Sequence, residues 1–279
     1  MTVALDLRGP RAKLRRAQEH VGTLRSKITL AGHPDPTVIS LRRQFEPDCN
    51  AVVYRIDRVI QIGDDWGLIV GDAIHNMRSA LDHLAWALAV RHYKGVPPND
   101  VKIIKDIQFP VFSDGKHWPT HRYLKHMGAA DVDLLEQFQP FKLSSVQRFV
   151  MRLERPGVIP HALEALVAMS NSDKHRVIQL LYMLPLAGQL TNATFTDCRP
   201  AFRDSDSFSA TVTPPGQPPR VGDEVFRVAI VPIGPNPDVD LGAHIHAYVA
   251  VGEHWDVLEA LDAFAAAVEL VLGAFDAGT

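Results

Sequence analysis

The sequence predicts an α+β fold: a helical bundle, with two long central helices plus N- and C-terminal helices, beside an antiparallel β-sheet. Three observations predict it. Apolar residues recur at helical spacing along 66–92 and again along 161–184. Between 191 and 251 the chain turns to Thr, Val and Phe broken by Pro-rich turns, the habit of short antiparallel strands. From 253 to 275 the 3.6-residue period returns. The expected organisation is one domain over 1–279. In it 1–190 is mainly helical, 191–251 is strands, and 253–275 is a helix returning to the bundle.

Each element has a local reason. Residues 10–28 carry Pro10 at the start of an apolar stripe of Leu14, Val21, Leu24 and Ile28, which suits a helix. AGHPDPT at 31–37 breaks the chain. The β-branched and aromatic run over 44–62 reads as a hairpin, ended by Gly63-Asp64-Asp65, either Asp a candidate cap for the helix that follows. That helix, Trp66 to His92, is the most regular pattern in the sequence and is closed by Gly95-Val96-Pro97-Pro98. Residues 101–128 read as irregular, with one extended piece at IQFPVF (107–112), and short helices are expected at 131–138 and 143–154. The candidate strands are ATFTDC, SFSATVT, EVFRVAIVPI and AHIHAYVAV.

Composition narrows the function classes. Hydrophobic residues make up 46% and charged residues 22%, ordinary for a globular protein, and the net charge of −3 gives no overall pull toward nucleic acid or membrane. The charge is unevenly spread. The first 30 residues hold Arg8, Arg11, Lys13, Arg15, Arg16, Arg25 and Lys27, whereas no Lys or Arg follows Arg227 and acidic residues accumulate there. Basic and acidic helices that pack together, within the chain or across a dimer, explain this more simply than a phosphate-binding arm. Cys49 and Cys198 form no paired motif, no apolar leader is visible, and 263–275 is too short and too charged to span a bilayer. A cytoplasmic protein without membrane partners is expected, and no cofactor or metal is implied. Dinucleotide, P-loop and nucleophile-elbow motifs are missing.

The stretch GDAIHNMRSALDHLAW (71–86) concentrates the chemistry. On a helical wheel Ile74, Met77, Leu81, Leu84 and Leu88 share one side. Asp72, His75, Ser79, Asp82, His83 and Trp86 share the other, with Asn76 and Arg78 flanking them. Most of these polar residues are mediocre helix formers, a poor choice for a merely solvated face. Arg78 and Asp82 stand four apart, the spacing of an intrahelical ion pair. On the second long helix Ser170 and Asp173 fall inside the apolar stripe, Lys174 at its edge, and Asn171 and His175 away from it. A carboxylate on a packed side needs a partner, so Asp173 is expected to meet the first helix near Arg78, His75 or His83. The candidate catalytic cluster is therefore Arg78, His83, His75, Asp82 and Asp173. Asp72, Asn76, Ser79, Asn171 and Lys174 are its candidate binding residues.

Two resemblances rest on these residues. GDAIHNMRSALDHL (71–84), Gln108-Phe109-Pro110, Gln139-Pro140-Phe141 and NSDKHR (171–176) resemble a family of bacterial proteins, common in actinobacteria, that share the pattern GD-x-x-HN-x-RSALDHL with N-x-DKHR and have no assigned activity. Arg78 and His83, four residues between them, also resemble the Arg-x4–6-His motif of HEPN-like helical ribonucleases. There a polar Asn, Asp or His often follows the Arg, where this chain has Ser79. That second resemblance implies a metal-independent endoribonuclease, with His83 or His75 as acid or base and Arg78 on the phosphate. It also implies a homodimer and RNA as partner, although the net charge does not indicate RNA.

Three readings follow. In the first, the cluster is a satisfied polar network fixing helix register in a protein with a structural or binding role. In the second it is the HEPN-like RNA-acting site. In the third, Asp72, His75, His83 and Asp173 hold a metal ion in a metal-dependent enzyme. His75 and His83 stand two turns apart, about 12 Å along the axis, far for one ion. The His-rich stretch Lys116, His117, His121, Arg122, Lys125 and His126 reads as a solvated loop, and Trp66, Trp86, Trp118 and Trp255 as core or interface.

Overall fold

The computed structural model describes residues 4–31, 39–59, 62–116, 118–142, 161–173, 178, 180–183, 193–201, 208–210, 220–241, 248–251 and 255–276. It is an α+β protein whose chain divides into two compact units, one of residues 1–25, 64–179 and 251–279, the other of 26–63 and 180–250.

The first unit is helical. α1 (Arg8–Ala31), α2 (Trp66–His92), α3 (Val101–Asp106), α4 (Ala129–Glu136), α5 (Ala162–Asp173) and α6 (Val257–Asp276) build it, with α2, α5 and α6 packed on one another. Ile74, Met77, Leu81, Leu84 and Leu88 of α2, Leu166 of α5 and Phe264, Val268 and Leu272 of α6 are fully buried. α1 buries Leu14, Ala17, Val21 and Leu24. Its polar side meets the acidic side of α6. Arg11 pairs with Glu269 at 2.9 Å and with Asp276, and Arg25 pairs with Asp262 at 2.7 Å, so the two helices run antiparallel. Two of the basic residues near the start of the chain, Arg11 and Arg25, thus meet acidic residues near its other end. Among the described residues no helix is long and apolar enough to cross a membrane.

The second unit is a set of antiparallel strands. β1 (Ile39–Glu46) and β2 (Ala51–Val59) form a hairpin whose turn ends at Asn50, in the left-handed region at φ 48. β3 (Leu181–Met183), β4 (Thr194–Thr196), β5 (Cys198–Pro200), β6 (Phe208–Ala210), β7 (Glu224–Pro232), β8 (Asp238–Asp240) and β9 (Tyr248–Val251) complete it. β7 is the central strand, paired to β2 on one edge and to β5 and β6 along the other. β4 pairs β8, and Phe195 and Val239 from that pair pack with Val52, Tyr54, Ile56, Phe226, Val228 and Ile230 of the main sheet. The Tyr54 hydroxyl donates to Val239 O and accepts from Leu241 N, and Arg43 reaches Asp238 at 3.0 Å and Asp240 at 2.7 Å. Burial pushes the Cys198 thiol up from its ordinary pKa.

Several expectations shift. The hairpin starts at Ile39 rather than 44, because Leu41 and Phe45 already face the sheet core. Asp65 precedes α2 without a capping bond from its side chain. The second long helix, described over Ala162–Asp173, does not run to 184: Leu181–Met183 instead pairs with Tyr248–Ala250. Val177, Leu180 and Leu181 fit a helical stripe, yet the run is as β-branched and aromatic as a strand. α3 and two short 3-10 turns, Trp118–Thr120 and Arg122–His126, occupy the stretch read as irregular, and Asp100 caps α3 by accepting from Lys102 N. The helix expected at 143–154 and the first half of AHIHAYVAV lie outside the described residues.

Candidate functional site

α2 is the helix on which the candidate residues converge, and its polar side divides into two edges and a centre. On one edge, Arg78 donates from Nη2 to Asp82 Oδ1 at 2.8 Å and from Nε to Asp82 Oδ2 at 3.2 Å, the intrahelical pair expected from the spacing. Arg78 is the more enclosed partner, while Asp82 keeps part of its side chain in solvent. Arg78 Nη2 also donates to Phe109 O at 3.0 Å, and Phe109 N donates to Asp82 Oδ1 at 3.0 Å. Both backbone groups of Phe109 are satisfied as a neighbouring strand would satisfy them, with side chains in the strand's place. The Phe109 ring is 1% exposed.

Gln139 repeats the device one step on. Its Oε1 accepts from Phe112 N at 3.0 Å, while Nε2 donates to Pro110 O at 3.0 Å and to Leu135 O at 3.1 Å. Gln139 is 1% exposed, and these bonds use both ends of its amide. Residues 109–112 therefore form a strap that belongs to no helix or sheet. Arg78 and Asp82 hold it at Phe109, and Gln139 holds it at Pro110 and Phe112.

A second contact explains the glycine of the leading Gly-Asp. A Cβ added at Gly71 would lie 2.6 Å from Asp173 Oδ1, well inside any normal contact. Asp173 thus reaches α2, as its place on the packed side of α5 requires, and Ser170 beside it is buried. It arrives at the Gly71 backbone, a turn or more before the expected side chains. Among the described residues no ion pair joins Asp173 to Arg78, His75 or His83, and the guanidinium of Arg78 is held by Asp82 and Phe109. Asn171 is exposed, and Lys174 and His175 lie outside the described residues.

The centre of the polar side is open. Asp72, His75, His83 and Trp86 are exposed, with Ser79 half-buried between them, and Leu68 extends the same row one turn toward the N-terminus. Asn76 turns onto its own helix, donating from Nδ2 to Asp72 O at 2.8 Å, and Ser79 Oγ stands 3.5 Å from His75 Nε2. At the far edge His83 Nδ1 lies 3.2 Å from where a Cβ on Gly9 would sit, so the start of α1 flanks it. Among the described residues no group of three or more His, Cys, Asp or Glu is placed to hold a metal ion. Leu68 is the residue sequence reasoning passed over, although the helical period back from Asp72 could have found it. Gln139 was singled out only as part of a motif, with no role attached to it.

The stretch read as a solvated loop is solvated only in part: Lys116, Arg122 and Lys125 are exposed, whereas His121 and His126 pack. His121 lies against Phe112 and Tyr123 with ring centroids 4.4 and 4.5 Å away, and His126 Nδ1 meets the Tyr93 hydroxyl at 2.8 Å. Burial holds the His126 imidazole below its ordinary pKa. His117 is outside the described residues. Compared with family models, curated proteins and solved structures, the chain matches none.

Proposed function

We propose that this protein acts by binding rather than by catalysis, and that the open row on α2 is its recognition face: Leu68, Asp72, His75, Ser79, His83 and Trp86. The observation that carries this is the double engagement of Arg78 by Asp82 and by Phe109 O. A guanidinium that clamps a strap in place is costly to redirect to a phosphate, since its withdrawal strands a carbonyl and a carboxylate. Arg78 and Asp82 are then architecture, and so are Gly71, Asp173 and Gln139. The exposed residues of the row are freed for a partner. An aromatic and an aliphatic residue at its ends with short polar side chains between them suit a protein surface better than a polyanion.

The competing readings are testable against this one. Purified wild-type protein, Arg78→Ala and His83→Ala are incubated with structured and single-stranded RNA, with circular dichroism as the check on folding. No RNA cleavage by any of them is expected, and Arg78→Ala is expected to lose thermal stability. Cleavage by wild type that His83→Ala abolishes while remaining folded would replace this reading with the HEPN-like one. A stoichiometric metal ion in protein prepared without chelator would replace it with the metal-dependent one.

A further inference from the structure

Along α2 the exposed row is close to a palindrome. Leu68 and Trp86 lie about equally far from the helix midpoint near Met77 and Arg78, as do Asp72 and His83, and as do His75 and Ser79. All six fall within about 80° of one another on the wheel. Leu68 is 58% exposed and Trp86 39%. Large apolar side chains bracket a centre that carries no long one.

We propose that the partner of this face is a second copy of the chain, paired antiparallel through α2 about a two-fold axis near Met77 and Arg78. The proposal rests on the binding reading above. In this register Leu68 of one copy stands beside Trp86 of the other, Asp72 beside His83, and His75 beside Ser79. Residues at equal heights on antiparallel helices meet directly, and two-fold symmetry makes every such contact occur twice. Apolar groups face each other at the outer level and hydrogen-bonding groups at the two inner ones. Asp82 sits near the level of the other copy's Asp72, but its charge is already matched by Arg78 at 2.8 Å.

Charge selects the antiparallel arrangement. Side-by-side parallel helices would set Asp72 against Asp72. In the antiparallel register the two Asp72 carboxylates are separated by about 16 Å along the axis, beyond the reach of strong repulsion at physiological salt. Half-buried Ser79, near the middle, lets the helices approach closely. The row is about 27 Å long and roughly 10 Å wide, some 270 Å² per copy from α2 alone, which is small beside the usual 800 Å². The expected dimer is therefore weak and concentration-dependent.

Sedimentation equilibrium from low micromolar to several hundred micromolar protein tests this directly. Wild type is expected to rise from the monomer mass of 30.9 kDa toward twice that value. Ser79→Arg, which places a long charged side chain at the midpoint, should weaken association at least tenfold while leaving the circular dichroism spectrum unchanged. Register is read by oxidative cross-linking in a Cys49→Ser background. Asp72→Cys mixed with His83→Cys should form a mixed disulfide, and Asp72→Cys alone should not. A monomer at every concentration, a dimer indifferent to Ser79→Arg, or cross-linking of Asp72→Cys with itself would each overturn the proposal. RNA cleavage dependent on His83 would instead sink the binding reading, so the two failures are distinguishable.

Discussion

Two sides of one helix use the same residue types to different ends. Arg78 and Asp82, on the strap side of α2, are bonded to each other and to both backbone groups of Phe109. Asp72, His75 and His83, within a few residues of them, stand in solvent. The difference lies outside the helix. Where an extended segment without a sheet runs alongside, its N–H and C=O groups recruit the nearest long-armed donor and the nearest carboxylate. Where no such segment runs alongside, Asp72 and His75 stay exposed, and His83 is exposed with only the start of α1 beside it. A helix dense in short polar residues can thus be a clamp on one edge and a face on the next.

Removing the clamp should show the largest effect. Arg78→Ala deletes a two-point ion pair, strands Phe109 O and leaves Asp82 without its cation, a loss of about 2–4 kcal/mol in urea unfolding. Arg78→Lys should recover only part of it, because an ammonium cannot serve Asp82 at two points and Phe109 at once. A loss under about 0.5 kcal/mol for Arg78→Ala would place Arg78 with the open residues and dissolve the contrast between the two edges.

Gly71 offers a smaller and more diagnostic change. Alanine is favoured over glycine inside a helix by about 1 kcal/mol, but here its methyl would meet Asp173 Oδ1 at 2.6 Å. In wild type the clash should cancel the helix gain, leaving Gly71→Ala neutral to about 1 kcal/mol destabilising. In an Asp173→Ala background the same substitution should stabilise by about 0.5–1 kcal/mol. That change of sign, measured as a double-mutant cycle, is the signature of direct contact between α5 and the start of α2. Identical effects in both backgrounds would mean that Asp173 does not rest on Gly71.

What could be read from the sequence follows from how each feature is encoded. α2 was legible from end to end because its apolar residues repeat over more than seven turns, and Arg78–Asp82 because a helix makes i,i+4 neighbours whatever surrounds it. The charge match of Arg11 and Arg25 with α6 showed as an imbalance between the chain's ends. What Arg78 and Asp82 hold in place did not show. Phe109 is recognised through its backbone from 27 and 31 residues away, and a backbone contact leaves no periodic trace. The end of α5 was hidden because Val177, Leu180 and Leu181 satisfy a helical stripe, and β8, at three residues, is too short to alternate. Asp173 was placed on the correct side of α5, but the sequence pointed to the charged residues of α2 as its neighbours. Its carboxylate instead rests where α2 has no side chain at all.

The smallest expected effect is the one that gives the open row its meaning. In dilute protein His75→Ala and Ser79→Ala should each change unfolding free energy by no more than about 0.5 kcal/mol, the usual range for positions without strong contacts. Alanine is also a better helix former than His or Ser, which offsets the little they contribute. His83→Ala is the most exacting of the set, since its ring lies beside Gly9. A cost above about 1.5 kcal/mol there would mean that His83 secures the start of α1 and belongs with Arg78 as part of the frame. A negligible cost would leave residues that fold without being needed for folding. Helix propensity argues against choosing His, Ser and Asp for such positions, and that outcome would favour the proposed contact with another molecule.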